Sequence, residues 1–147
     1  MIQPTTRRQR AADACRLRFE GRPYKPGTRD CPLLALHALR KVGVSVPWAK
    51  GLKWKTEAEG LRALKALGFK DLIEAVDSLG LPRIPPAMAL AADLIALPTS
   101  HQLGALAVSM GNGNLLAFTD HSPNAEVLVG VTEFVTDDLG PCAWRVI

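Results

Sequence analysis

The sequence predicts an α+β fold, with helices in the first part of the chain and an antiparallel sheet in the second. Apolar residues recur at helical spacing up to about residue 80, and beyond a proline-rich stretch they form short β-compatible runs separated by turn residues. Helices and strands are therefore segregated along the chain, which indicates α+β rather than an alternating parallel fold. We expect a buried central helix to pack on the C-terminal sheet.

The length of the chain, 147 residues, fits a single domain, and no stretch is long enough to act as a linker between two. Hydrophobic residues make up 48% of the chain and charged residues 22%, which is typical of a globular protein rather than a disordered one. We divide the sequence into a basic N-terminal arm with the first helix, residues 1–20, and one α+β domain, residues 21–147.

Four helices are predicted from apolar periodicity and capping signals. The first covers residues 6–19, and the second covers residues 32–42, where apolar side chains occupy nearly every side and indicate burial. Residues 56–59, Thr-Glu-Ala-Glu, have capping-box spacing and open a third helix that ends at Gly68. The fourth helix runs from about residue 70 to residue 79.

Five strands are predicted in the second half, at residues 94–97, 105–110, 115–118, 126–129 and 143–147. Residues 110–113, Met-Gly-Asn-Gly, have the chemistry of a hairpin turn between the second and third of these strands.

The charge pattern excludes several classes of partner. The net charge is +4 and the pI is near 9.2, yet the basic residues are scattered apart from two small groups, Arg7, Arg8 and Arg10 and then Lys50, Lys53 and Lys55. Neither group is a strong footprint for nucleic acid, so no nucleic-acid partner is expected. No apolar stretch follows the basic N-terminus and no run approaches the length of a membrane span, so we expect synthesis in the cytoplasm and no membrane anchor.

The three cysteines, Cys15, Cys31 and Cys142, have wide and irregular spacing. This spacing predicts neither a disulfide framework nor a zinc site with paired ligands, and a cluster held by four thiolates would need one more cysteine. A metal or cluster module built from the three, with a histidine, is the weakest of the alternatives. We therefore expect no cofactor.

Cys31 is the leading candidate for a reactive side chain, because Pro32 is a helix-start signal that places it at the N-cap or in the first turn of the buried helix. A helix N-terminus stabilises a thiolate, although a small buried cysteine that begins a helix is the alternative. A nucleophilic cysteine also needs a base. His101 and His121, both in loop sequences, are the candidates, whereas His37 lies on the same helix and points away from Cys31.

Several motifs resemble the NlpC/P60 family of papain-like cell-wall cysteine peptidases. Residues 21–24, Gly-Arg-Pro-Tyr, followed by Asp30-Cys31 and a hydrophobic helix, resemble the nucleophile segment of that family. Residues 92–98 and 104–113 resemble its Gly-Asp strand and its catalytic-histidine strand. The C-terminal Ala143-Trp-Arg-Val146 is similar to the ending of small phage and prophage tail proteins in the same superfamily.

One departure from the family pattern concerns the general base. The strand position at which the resemblance implies a catalytic histidine holds Ala105 here, or its neighbour Gly104. Without a base within hydrogen-bond reach, efficient peptidase activity is not expected.

The resemblance implies a structural component of a bacteriophage tail tip or baseplate, in the virion, with a degenerate and inactive peptidase-like fold. The alternative is an active cysteine peptidase or amidase that cleaves peptidoglycan during infection, with Cys31 as nucleophile and His101 or His121 as base. Other tail or baseplate proteins are the expected partners, with peptidoglycan as a further one. The basic arm could become ordered only against a partner. Trp48 and Trp54 are either interface anchors or core residues under a long loop.

Overall fold

The computed structural model describes residues 3–147 and has N-terminal helices followed by an antiparallel sheet, as the sequence predicts. The helices are α1 (Pro4–Phe19), α2 (Cys31–Val42), α3 (Glu57–Ala66) and α4 (Leu72–Asp77). The strands are β1 (Leu94–Leu97), β2 (Ala105–Gly111), β3 (Asn114–Ala117), β4 (Glu126–Leu128), β5 (Thr136–Asp137), β6 (Gly140–Pro141) and β7 (Ala143–Trp144). Short 3-10 turns occur at Pro47–Ala49 and Pro86–Met88.

The central helix α2 begins and ends where its capping residues dictate. The Asp30 side chain accepts a hydrogen bond from the Leu33 N–H, and Gly43 ends the helix in the left-handed region at a φ of +90°. Cys31 is therefore the first helical residue and Pro32 the second. The buried residues of α2 are Leu34, Ala35, Ala38, Leu39 and Val42. The prediction of a buried central helix with Cys31 at its N-terminal end is confirmed.

The first helix begins two residues earlier than predicted and includes most of the basic arm. Helix α1 begins at Pro4, and Arg7, Arg8 and Arg10 lie in its first two turns. Helical hydrogen bonds propagate toward the N-terminus from a part of α1 that is anchored by burial of Ala11, Ala12, Cys15 and Phe19. The Arg8 guanidinium also donates to the backbone oxygen of Ile147. Met1 and Ile2 lie outside the described residues.

The main sheet has the strand order β4-β3-β2-β1-β7, and all neighbours are antiparallel. Asn112 and Gly113 turn the β2–β3 hairpin with φ angles of +56° and +79°, as the Met-Gly-Asn-Gly sequence predicts. One face of the sheet packs on the helices. The opposite face is covered by the segments 84–89 and 131–134. The sheet is thus enclosed between a helical layer and a layer of loops.

The C-terminal segment departs from the strand predicted at residues 143–147. Only Ala143 and Trp144 pair with β1, because the next residues bond to a buried carboxylate instead. Asp93 accepts from the Val146 N–H at 3.0 Å, from Arg145 Nε at 2.9 Å and from the Leu90 N–H at 2.8 Å. These bonds offset the desolvation of Asp93, which is fully buried.

A second ionic network fixes the β5–β6 ribbon, which the sequence did not predict. The Arg83 guanidinium binds Asp77 at the end of α4 and Asp137 in β5, each at 2.6 Å. Trp144 Nε1 donates to the same Asp77 at 2.8 Å. Arg83 therefore joins α4, the ribbon and the edge strand β7. Two-residue strands are too short to produce a detectable alternating pattern, which explains why they were missed.

The segment between α2 and α3 packs against the protein through both of its tryptophans. Trp48 lies against the Phe69 ring with centroids 5.1 Å apart, and Trp54 Nε1 donates to Asp30 at 2.7 Å. Both side chains are half-buried. Both tryptophans therefore contact the protein's own residues, as one of the two alternatives predicts. Within residues 3–147, no helix combines the length and the apolar character that crossing a membrane requires.

Candidate functional site

A cleft of about 410 Å³ opens where the N-terminus of α2 meets the start of β2 and the β3–β4 loop. It brings together residues that are far apart in sequence, namely Cys31, Glu57, His101, Ala105, Asp120 and His121. All three predicted site residues, Cys31, His101 and His121, therefore line one cavity. The predicted base position, Ala105, lines it as well.

Asp30 holds the floor of this cleft in place. Its carboxylate accepts from the Gly27 N–H at 2.7 Å, from Trp54 Nε1 at 2.7 Å and from the Leu33 N–H at 3.0 Å. Only 3% of the residue is exposed. These three bonds link the loop before α2, the tryptophan segment and the helix itself. Asp30 is therefore a positioning residue for Cys31.

The Cys31 thiol is held in its neutral form. Burial raises its pKa to about 12, and the carboxylates of Asp30 and Glu57 act in the same direction. Backbone N–H groups, including that of Leu106, favour the thiolate but are outweighed. The thiol contacts the Gly104 carbonyl oxygen at 3.8 Å. Burial therefore opposes the stabilisation of a thiolate that the helix N-terminus offers.

Both ring nitrogens of His101 contact carboxylates. Its Nδ1 lies 2.8 Å from Glu57 Oε2, and its Nε2 lies 3.1 Å from Asp120 Oδ1. Both ring nitrogens are therefore engaged by carboxylates, and neither is hydrogen-bonded to the Cys31 sulfur within the described chain. This arrangement does not present His101 as a general base for Cys31.

Glu57 extends this chain of polar contacts to the loop before α2, because its second carboxylate oxygen accepts from the Tyr24 hydroxyl. Burial and this hydrogen bond raise the pKa of Tyr24. The chain Tyr24–Glu57–His101–Asp120 therefore crosses the mouth of the cleft. Glu57 was read from the sequence only as a first-turn helix residue. Acidic residues are favoured in the first turn of a helix, so nothing in the sequence pointed to its second role.

His121 and His37 have different surroundings. His121 is exposed at the rim of the cleft, and among residues 3–147 its ring makes no hydrogen bond or ion pair. His37 packs edge-on against Phe19, with ring centroids 5.8 Å apart. Neither imidazole is hydrogen-bonded to the Cys31 sulfur within the described chain. The sequence-based exclusion of His37 from the site is confirmed.

The three cysteines lie in three separate environments. Cys15 is buried between α1 and the rest of the core, and burial raises its pKa to about 12. Cys142 contacts Asp137 beside Arg83, and burial raises its pKa to about 11. No group of three or more His, Cys, Asp or Glu side chains in residues 3–147 is arranged to hold a metal ion. The geometry therefore gives no support to a module that uses the three cysteines together.

A family model described as a domain of unknown function, DUF6950, matches residues 5–135. The chain belongs to this family. The match runs from α1 to the loop before β5, so the cleft and all of its polar residues lie within the DUF6950 region. The ribbon and the C-terminal segment that binds Asp93 lie beyond it. No curated protein and no solved structure matches the chain at a significant level.

Proposed function

We propose that this DUF6950 protein is a non-enzymatic structural component of a bacteriophage tail tip or baseplate, built on an NlpC/P60-like fold whose cleft no longer supports hydrolysis. The observation that carries the proposal is the state of Cys31. The residue occupies the first position of the central helix and lines a cleft, but burial raises the pKa of its thiol and the sulfur has no imidazole partner in the described chain.

The position of Ala105 supports this proposal. Ala105 is the first residue of β2 and lines the cleft beside Gly104, whose carbonyl oxygen touches the Cys31 thiol. The resemblance to NlpC/P60 peptidases implies a histidine at this strand start. An alanine methyl group cannot accept a proton, so a thiol at this site has no general base from β2.

The backbone at Ala92 is a second point of support for the fold assignment. The resemblance implies a Gly-Asp pair at residues 92 and 93, and Ala92 has a φ of +75°, in the left-handed region that favours glycine. The Asp that follows binds Arg145 and Val146 of the terminal motif. Two of the motifs that carry the resemblance therefore serve the architecture of the protein rather than the chemistry of the cleft.

Hydrolysis is tested on purified protein with peptidoglycan fragments. We expect wild type and Cys31→Ala to release the same background amount of product. Activity in the wild type that Cys31→Ala abolishes would contradict the non-enzymatic part of the proposal.

The tail assignment is tested separately, by peptide mass spectrometry on particles purified after prophage induction of a bacterium that encodes the chain. We expect the protein to copurify with intact tails at a constant ratio to the other tail proteins. Its absence from such particles, with abundant protein left in the cell lysate, would contradict a role in the tail.

An active cysteine peptidase or amidase is the second candidate, and one observation favours it. His121 lines the same cleft as Cys31, and its ring makes no bond in the described chain. The two side chains are not hydrogen-bonded to each other in the described chain. If hydrolysis is detected, its loss in His121→Ala but not in His101→Ala would identify His121 as the base.

A further inference from the structure

Three exposed cations surround the half-buried His37 on the helical layer of the fold. Arg40 and Lys41 follow His37 by three and four residues, a spacing that places the three side chains on one face of α2. Arg18 belongs to the last turn of α1 and reaches the same place from the neighbouring helix. We call these four residues the His37 cluster.

Phe19 joins α1 to α2 at this cluster. Its ring packs edge-on against His37, with centroids 5.8 Å apart, and the guanidinium carbon of Arg18 lies 5.6 Å from the centroid of the same ring. Burial raises the pKa of Cys15 to about 12, and the charges of Arg18 and Lys41 act against this rise. Because His37 and Cys15 both sense Arg18 and Lys41, these two cations lie close together although they are distant in sequence.

Every charged group that acts on His37 within residues 3–147 is a cation. Burial is the largest cause that lowers the pKa of His37, and the other causes are the three cations of the cluster. The carboxylates of α1, α2 and the loop between them are all engaged elsewhere. Their bonds join Asp13 to Gln9, Glu20 to Arg16, and Asp30 to Gly27, Leu33 and Trp54. The cluster therefore has no counter-charge in the described chain.

The helix dipoles account for only part of this positive charge. The C-terminal end of a helix carries about half an elementary negative charge, so the ends of α1 and α2 together offset roughly one of the three cations. An excess of about two positive charges therefore remains around the imidazole. Like charges held this close repel one another, so the arrangement disfavours the folded state unless an anion is bound.

We propose that the His37 cluster is a binding site for a phosphate group, carried either by a phospholipid headgroup or by a small phosphorylated molecule. Guanidinium and ammonium groups both donate to phosphate oxygens, and a guanidinium can donate two N–H groups at once. His37 adds a fourth donor and, when it is protonated, a fourth positive charge. The site depends on neither the chemistry of the cleft nor the tail assignment.

An NMR titration of the imidazole signals tests the site, because His37 responds to the charge around it. The chain has three histidines, and the His37→Gln variant assigns the signal of His37. We expect millimolar inorganic phosphate to raise the pKa of His37, since a bound anion offsets the repulsion from the three cations. An unchanged pKa, or an equal change in sodium chloride at the same ionic strength, would overturn the proposal.

A pair of double variants tests which cations hold the phosphate group. Arg18→Gln with Lys41→Gln removes two cations of the cluster, and Arg62→Gln with Lys65→Gln makes the same change in charge at two exposed positions of α3. We expect the first to bind inorganic phosphate about tenfold or more weakly and the second to bind like wild type, because hydrogen bonds to charged groups are worth at least that factor. Thermal unfolding checks that both are folded. An equal loss in the two variants would overturn the proposal.

Vesicle sedimentation distinguishes the two sources of the phosphate group. Binding to phosphatidylcholine vesicles that contain phosphatidylglycerol, lost in the Arg18→Gln, Lys41→Gln variant, would assign the site to lipid headgroups. Binding of inorganic phosphate without binding to these vesicles would assign it to a small phosphorylated molecule. A DNA oligonucleotide that binds through Arg18 and Lys41, with no effect of inorganic phosphate on His37, would overturn the proposal in favour of a nucleic-acid contact.

Discussion

Individual residues at the start of α2 decide what the cleft can do. The Asp30 carboxylate accepts three hydrogen bonds that position Cys31, and its negative charge helps to raise the pKa of the thiol. The Asp30 carboxylate therefore positions Cys31 but disfavours the thiolate form that a nucleophilic cysteine needs. The sequence predicted the placement of Cys31, because a proline start signal is a local feature. It could not predict the pKa, which depends on burial and on Glu57, a residue distant in sequence.

Replacement of Asp30 by alanine should destabilise the protein by about 3 kcal/mol, since it removes an N-cap and leaves the partly buried N–H groups of Trp54 and Gly27 without their acceptor. Asp71→Ala is the matched control, because Asp71 caps α4 with a bond to Glu74 alone. It should cost about 1 kcal/mol. Urea unfolding measures both, and equal losses would show that Asp30 acts only as a cap.

Between secondary structure elements, two contacts bring distant segments together. The loop before α2 touches the tryptophan segment at Gly27, where an added Cβ would lie 1.8 Å from the Trp54 carbonyl oxygen. Arg83 joins α4 to the β5–β6 ribbon. Most helix and strand positions followed from periodicity and capping, but neither of these contacts did, because each depends on which elements become neighbours in the fold.

A test of the first contact compares two glycines with nearly the same φ angle. Gly27→Ala should cost about 3 kcal/mol or more, because it combines strain at a φ of +78° with a backbone clash. Gly21→Ala, at a φ of +77° with nothing within 4 Å, should cost only about 1 kcal/mol. Thermal unfolding distinguishes the two. Similar losses would mean that the Gly27 approach to Trp54 relaxes at little cost.

The Arg83 network predicts a loss of stability in acid. Hydrogen bonds from Arg83 lower the pKa of Asp77 and lower that of Asp137 to about 2. Because both pKa values are lower in the folded state, the stabilisation is complete above the ordinary carboxyl range near pH ~4 and is lost as the pH falls toward 2. Arg83→Met should therefore be less stable than wild type at pH 6, and the gap should narrow below pH ~4.

Urea midpoints at pH 6, 4, 3 and 2 provide the measurement. Arg62→Met, which removes an exposed arginine with no ion pair in the described chain, should track wild type throughout. A gap between wild type and Arg83→Met that stays constant with pH would contradict the assignment of the pairs to Asp77 and Asp137.

At the level of the whole molecule, the α+β class, the central helix and four strand positions of the main sheet followed from sequence pattern. The start of α1 at Pro4 did not, because the periodic buried positions of this helix begin only at Ala11. The convergence of Cys31, His101 and His121 in one cleft was left open by the sequence. Loop residues carry no periodic signal, so only the packing of the sheet on α2 brings them together.

In the proposed function Cys31 is a protonated thiol without a working base, and the pH dependence of its alkylation tests this claim most directly. Iodoacetamide reacts with the thiolate alone, and mass spectrometry assigns the modified residue, with Cys31→Ser as the control. With a pKa of about 12, the rate at Cys31 should rise about tenfold per pH unit from pH 7 to 10 without a plateau. A rate that levels off near neutral pH would reveal an activated thiolate and would contradict the account.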